Sequence, residues 1–165
     1  MKKLLLLRHA KSSWEDASLP DFDRPLNERG QRAAPLIGRF MREKKLKPDL
    51  IVCSPAKRTR ETIALVLEAA GIAPPLRYDE RIYEASVANL LEIISQLEDD
   101  KTEVMLVGHN PGFENLLERL TNESIRMSTA TLARIALNAE SWSEAASSVD
   151  GQLELFVKAK ELAKN

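Results

Sequence analysis

The run Leu4-Leu5-Leu6-Leu7 stops abruptly at Arg8-His9-Ala10. Consecutive apolar residues of strand length, without alternation, predict a strand buried on both faces, as in a parallel sheet covered by helices on each side. Leu50-Ile51-Val52-Cys53 repeats the pattern before Ser54-Pro55, and Glu103 to Gly108 repeats it before His109-Asn110-Pro111. Three apolar strands therefore end in polar, chemically competent residues.

The segments between them read as helices. A loop rich in Asp, Ser and Pro spans Ser12 to Pro25, and a helix is predicted from about Asn27 to Lys45 with Ala33, Ile37, Phe40 and Met41 on its inner face. Pro35 is expected to kink or shorten that helix. Ser54-Pro55 suits an N-cap followed by proline at the first helical position, with Gly71 as the left-handed end of the helix it opens. Thr59, Ile63, Val66, Leu67 and Ala70 would line its buried face. A short strand at Leu76 to Tyr78 precedes a helix from about Val87 to Leu97, and Asn110-Pro111 is expected to cap and open another through Leu120.

Strands at about Leu132 to Asn138 and Leu153 to Val157 flank a polar stretch containing Trp142 and look antiparallel and peripheral. The expectation is an α/β fold with three α/β/α layers, a mostly parallel sheet and antiparallel edge strands near the C-terminus, forming a single domain over 1–165.

Composition removes several function classes. With 24 Lys+Arg against 25 Asp+Glu the chain has no overall basic excess, so no nucleic-acid partner is expected and any anion site must be local. No run is long enough to span a bilayer, so no membrane partner is expected. The apolar run after Lys2-Lys3 is too short for a signal peptide, and one cysteine, Cys53, forms neither an internal disulfide nor a zinc cluster. A cytoplasmic location, with no metal and no cofactor, is the simplest expectation.

In sheets of this kind ligands bind beyond the carboxyl ends of the strands. Those ends deliver Arg8-His9, Ser54 with Arg58 behind it, and His109, which accounts for both histidines of the chain. Arg58 falls in the first turn of its helix, where unpaired N–H groups and the dipole favour an anion such as phosphate. Arg8 supplies a second guanidinium fork. A neutral imidazole is a competent nucleophile toward phosphorus, and Arg8, Arg58 and a protonated or donating His109 would neutralise the phosphoryl oxygens. The plainer alternative is that each arginine pairs with a nearby acid such as Glu61.

The Arg8-His9-Ala10 triplet after an N-terminal strand resembles the RHG-type signature of the histidine phosphatase superfamily, with alanine where glycine is commoner. Arg24-Pro25-Leu26-Asn27-Glu28-Arg29-Gly30, Ser54-Pro55 with Arg58 and Thr62, and Val107-Gly108-His109-Asn110-Pro111 are similar to further blocks of that family in the same order. Within it, Arg8 to Ser12 and Asp23 to Leu26 look most like the phosphohistidine phosphatases of the SixA type. The resemblance implies a Rossmann-like sheet, His9 as phosphorylated nucleophile, Arg8, Arg58 and His109 as phosphate pocket, and no cofactor. It also places Glu84, in Arg81-Ile82-Tyr83-Glu84, where larger relatives carry a general acid. Ser13, after the nucleophile, is a further candidate donor to phosphate.

The expected partner is a phosphohistidine-bearing protein, with a small phosphate ester such as a sugar phosphate or nucleotide as the alternative substrate. A phosphate-binding module without turnover is the non-enzyme alternative. Cys53 with Arg58 evokes a cysteine-dependent phosphatase loop, but the spacing is one residue short and Pro55 removes a backbone donor. Cys53 is therefore expected to be buried and inert.

Overall fold

The three apolar runs become neighbouring strands in the computed structural model, which describes residues 1–163. The final two positions of the expected 1–165 domain lie outside the described residues. Strands β1 (Lys2–Arg8), β2 (Leu50–Cys53), β3 (Leu76–Tyr78), β4 (Glu103–Gly108), β5 (Thr131–Leu137) and β6 (Gln152–Lys158) form one sheet in the order β3-β2-β4-β1-β5-β6. The first four are parallel, β5 runs antiparallel to β1, and β6 runs antiparallel to β5 at the edge. The sheet is thus mixed and mostly parallel, as the apolar runs predict.

The side-chain period of two divides each central strand between two cores. Leu4, Leu6, Val52, Val104 and Leu106 face one side, while Leu5, Leu7, Ile51, Met105 and Val107 face the other. Helices α1 (Glu28–Lys44), α2 (Lys57–Ala70) and α6 (Ala159–Leu162) cover the second face. Helices α3 (Val87–Ser95), α4 (Gly112–Thr121) and α5 (Trp142–Ala146) cover the first. Leu4 to Leu7 are fully buried, and burial of that kind contributes about 1.5–3 kcal/mol for each such side chain. Among the described residues no helix is long and apolar enough to cross a membrane.

Several local expectations are corrected. Pro35 lies inside α1 without ending it, and the helix runs on to Lys44. The buried stripe of α1 is Gly30, Ala34, Ile37, Gly38 and Met41, with Ala33 and Phe40 only partly covered, because small residues let α1 approach α2 closely. Leu67 of α2 is likewise only partly buried, while Arg58 and Thr62 join its buried face.

Neither proline junction opens a helix as expected. Helix α2 starts at Lys57 with Ala56 as N-cap and no side-chain cap, and α4 starts at Gly112 with Pro111 as N-cap. Ser54 and Asn110 instead turn their side chains to other partners, described below. Trp142, expected in a polar stretch, opens α5, has no exposed surface, and donates its ring N–H to the Lys101 carbonyl at 2.8 Å.

Gly38 marks the closest approach of α1 to α2. A Cβ there would fall well inside van der Waals contact of the Val66 carbonyl oxygen and close on Ala69 Cβ at 2.7 Å. Backbone cannot yield as a side chain can, so Gly38→Ala is expected to lower unfolding free energy by about 1–3 kcal/mol in urea denaturation. An unchanged or raised midpoint would contradict this packing.

Candidate active site

Adjacent strands bring the polar strand ends together. Because β2, β4 and β1 are neighbours, Ser54, His109 and His9 leave the sheet side by side, and the ladder continues past the strands through His9 N–H to Gly108 O (3.1 Å) and Ser54 N–H to Val107 O (2.9 Å). A cavity of about 260 Å³ opens above them. Arg8, His9, Arg58 and His109 line it together, and so do Lys11 and Ser12. The rings of His9 and His109 lie 5.2 Å apart between centroids.

His9 is held in one tautomer. Its Nδ1 lies 2.7 Å from the Ala10 carbonyl oxygen, which only accepts, so Nδ1 carries the proton and Nε2 keeps the lone pair of the neutral ring. Burial, together with the nearby arginines, lowers its pKa to about 4, against the opposing effect of the Ala10 bond. Burial, then the neighbouring His9 and Arg58, lowers that of His109 to about 3. That favours the neutral form of His109 before an anion binds. Its Nε2 shares a 2.8 Å hydrogen bond with Ser54 Oγ, which also accepts from Ala56 N–H.

Among the described residues, two buried nitrogens of side chains that line the cavity lack a partner. Arg8 gives one Nη1 bond to the Met127 carbonyl, but its Nε has no partner; nor does Nδ1 of His109. Burial lowers the Arg8 pKa, opposed by the Glu114 charge. Unsatisfied buried polar atoms are costly in a native fold, and the acceptor Asn110 Oδ1, of another cavity-lining side chain, is a third.

Arg58 does pair with an acid, but with Asp21 rather than Glu61. Its Nη1 donates to the Asp21 carbonyl at 2.8 Å and Nη2 to Asp21 Oδ2 at 3.0 Å, while Glu61 accepts from Leu26 N–H. Two bonds leave three of the five guanidinium donors for an anion. Asp21 also accepts from Arg24 Nη1 (2.8 Å) and from the Tyr83 hydroxyl (2.6 Å). Partial burial alone would raise its pKa, but the bonds from Tyr83 and Arg24 and the Arg58 charge bring it down to about 2.

Arg24 and Asp21 are the residues that sequence reasoning missed. Arg24 is buried and lines the cavity, donating to the Ser13 carbonyl and the Ser12 hydroxyl, with its guanidinium carbon 3.3 Å from the centre of the Trp14 ring. Its only signal was membership of the Arg24–Gly30 block, for which no chemistry had been assigned. Asp21 carried no signal, since three aspartates share that loop and spacing does not choose among them.

The same block clamps the loop after His9. Asn27 N–H donates to the Lys11 carbonyl, Ser13 N–H to the Pro25 carbonyl, and Gly30 packs so closely on Lys11 that a Cβ would collide with its carbonyl. From α2, Thr62 Oγ1 accepts from Ala10 N–H at 3.0 Å. Asn110 lines the cavity and donates from its side chain to Met127 O rather than capping α4.

Two expected residues lie elsewhere. Ser13 does not line the cavity, and its hydroxyl accepts from Glu15 N–H within the loop. Glu84 is exposed, has a left-handed backbone (φ 54°) and does not line the cavity, although the preceding Tyr83 sets its ring edge-on to His109. Cys53 points into the helical layer of α1 and α2, where burial pushes its thiol up to about 12.

The histidines make stability depend on pH in a defined window. Unfolded, both titrate near the ordinary 6.5; folded, they titrate near 4 and 3. Below about 6.5 the unfolded chain binds more protons, so stability is full above that pH and falls as pH drops through 4. Replacing both (His9→Gln, His109→Gln) is expected to flatten the loss of urea midpoint between pH 6.5 and 4. Equal slopes in wild type and variant would show that these rings are not held neutral.

Comparison with known proteins gives the family and the fold. Residues 4–104 match the family model of the histidine phosphatase superfamily, branch 1. An uncharacterised chloroplastic protein of Arabidopsis thaliana is 35% identical over 153 residues, covering 87% of this chain and 70% of the relative. An uncharacterised protein of Mycobacterium tuberculosis is 41% identical over 105 residues, 64% of this chain and 63% of the relative. Among solved structures, one from Agrobacterium tumefaciens named for phosphohistidine phosphatase SixA is 30% identical with a TM-score of 0.81, covering 94% of this chain and 97% of that one. A structure of the protein histidine phosphatase SixA with tungstate shares the fold at a TM-score of 0.82, with 18% identity over 97% of this chain and 99% of that one. The family match over residues 4–104, more than half of the chain, and the 35% identical relative lead to one conclusion: this chain belongs to the histidine phosphatase superfamily, branch 1.

Proposed function

We propose that this chain is a phosphatase that works through a covalent phosphohistidine on His9, and that it removes phosphate from phosphohistidine on a protein. One observation carries the reading: the Nδ1–H bond to the Ala10 carbonyl leaves Nε2 of a neutral His9 as the nucleophile, inside a cavity lined by Arg8, Arg24, Arg58 and His109.

The chemistry follows from those groups. Nε2 attacks phosphorus, the bond to the leaving group breaks, and its electron pair leaves with a proton on the departing atom. Water then attacks phosphorus, the Nε2–P bond breaks, and inorganic phosphate leaves with His9 restored. Both steps spread charge over the nonbridging oxygens, where the free donors of Arg8 and Arg58 and the Nδ1 of His109 supply preorganised stabilisation. Ser54 orients His109: when its hydroxyl donates to Nε2, the neutral ring presents Nδ1–H to the phosphoryl group.

Two features support phosphohistidine as the substrate. Among the described residues no carboxylate lines the cavity, and an imidazole leaving group can be protonated before its bond to phosphorus breaks, whereas an alkoxide needs a positioned acid. Structures named for phosphohistidine phosphatases from Agrobacterium tumefaciens and Nakamurella are 30% and 28% identical to this chain over 94% of its length.

Rapid mixing with a generic phosphomonoester and an alkaline quench, which preserves an N–P bond, tests the mechanism. Wild type is expected to carry an acid-labile, base-stable phosphate that His9→Ala lacks; no such label would overturn it. Arg58→Ala is expected to lower kcat/KM by about 10²–10³. With a phosphohistidine protein, Glu84→Gln is expected to stay within about twofold of wild type. Preference for sugar phosphates or nucleotides, with a large loss in Glu84→Gln, would overturn the substrate assignment.

A further inference from the structure

A second cavity, of about 390 Å³, adjoins the first, and Lys11 and Thr129 line both. Four cations from three segments face it: Lys11 after β1, Arg29 and Arg32 from the first turns of α1, and Lys160 from α6. Leu36 and Ala159 provide apolar surface between them.

Among the described residues Lys11, Arg29 and Lys160 have no carboxylate within 4 Å, and Arg32 has only a loose, exposed approach to Glu28 at 4.0 Å. Like charges gathered without counterions repel, and in a chain of net charge −1 their convergence on one groove is not a consequence of bulk composition. The groove is also rigidly tied to the reaction centre. Ala130 N–H donates to the His9 carbonyl, and Ala159 N–H, at the start of α6, donates to the Ala130 carbonyl. Gly30 presses α1 against Lys11 on the other wall.

We propose that this groove seats acidic residues that flank the phosphohistidine in the partner protein, an inference that rests on the function proposed above. The phosphoryl group enters the His9 cavity while neighbouring carboxylates extend past Lys11 toward Arg29 and Lys160, their methylene stems against Leu36 and Ala159. Such contacts steer encounter and select among phosphohistidine proteins without taking part in bond breaking.

The experiment compares three substrates: free phosphohistidine, a phosphohistidine peptide with glutamates on both sides, and the same peptide with glutamines. Wild type is expected to favour the glutamate peptide by about five- to tenfold in kcat/KM at low salt, the preference fading as salt shortens the screening length. Arg29→Glu with Lys160→Glu is expected to remove or reverse that preference while free phosphohistidine is hydrolysed as by wild type; both residues are exposed, so folding should survive. Equal turnover of the two peptides by wild type, or a parallel loss on free phosphohistidine in the variant, overturns the groove assignment alone. Failure of wild type on all three, with turnover of sugar phosphates, overturns the phosphohistidine reading and this inference with it.

Discussion

Three adjacent strands, β2, β4 and β1, covered by helices on both faces, leave little place for a polar side chain along their centres. Leu5 and Leu7 must pack under α1 and α2 while Leu4 and Leu6 pack under α3 and α4, so every position of β1 from Leu4 to Leu7 is committed to a core. Polar chemistry can begin only where the strands end. Because β2, β4 and β1 are neighbours and parallel, their carboxyl ends open on the same side, and Ser54, His109 and His9 meet there with no further device. The site follows from the burial of the sheet.

Burial then sets the protonation states. Arginines around a desolvated imidazole favour its neutral form, so the cations that would hold phosphate also keep His9 and His109 unprotonated. Asp21 balances this cluster from outside the cavity, pairing with Arg58 and Arg24 without lining the space where an anion would sit. The arginines are thereby oriented, yet donors remain free on Arg58 and Arg8. A cavity whose cations were fully paired would have little left to offer an anion.

The Arg24–Gly30 block supports the site mechanically. Arg24 fastens Ser12 and Ser13, Asn27 bonds to Lys11 and caps α1, and Gly30 permits contact with Lys11 that no larger residue would allow. These bonds immobilise the segment after His9, and the Ala10 carbonyl that selects the His9 tautomer belongs to that segment. Thr62, on α2 one turn after Arg58, completes the clamp by accepting from Ala10 N–H and donating to the Arg58 carbonyl.

By itself the sequence determined the layered fold and the strand-end site. Unbroken apolar runs of strand length fit strands buried on both faces, and their abrupt polar ends mark where chemistry can sit; His9, Arg8, Arg58 and His109 were legible as candidates on that basis. Helix starts at the two Ser/Asn-Pro junctions were misread, because Ser54 and Asn110 have partners far away in sequence that outcompete local capping. Trp142 is buried although its neighbours in sequence are polar, because its ring joins the core of that face and its N–H groups find the Lys101 carbonyl and Asp99. Tertiary structure alone decided that Asp21 holds Arg58, that Arg24 reaches the cavity, that both histidines are neutral, and that Ser13 and Glu84 stand outside. Each of those depends on distances between residues dozens of positions apart and on the water their neighbours exclude, and a pattern along one chain carries neither.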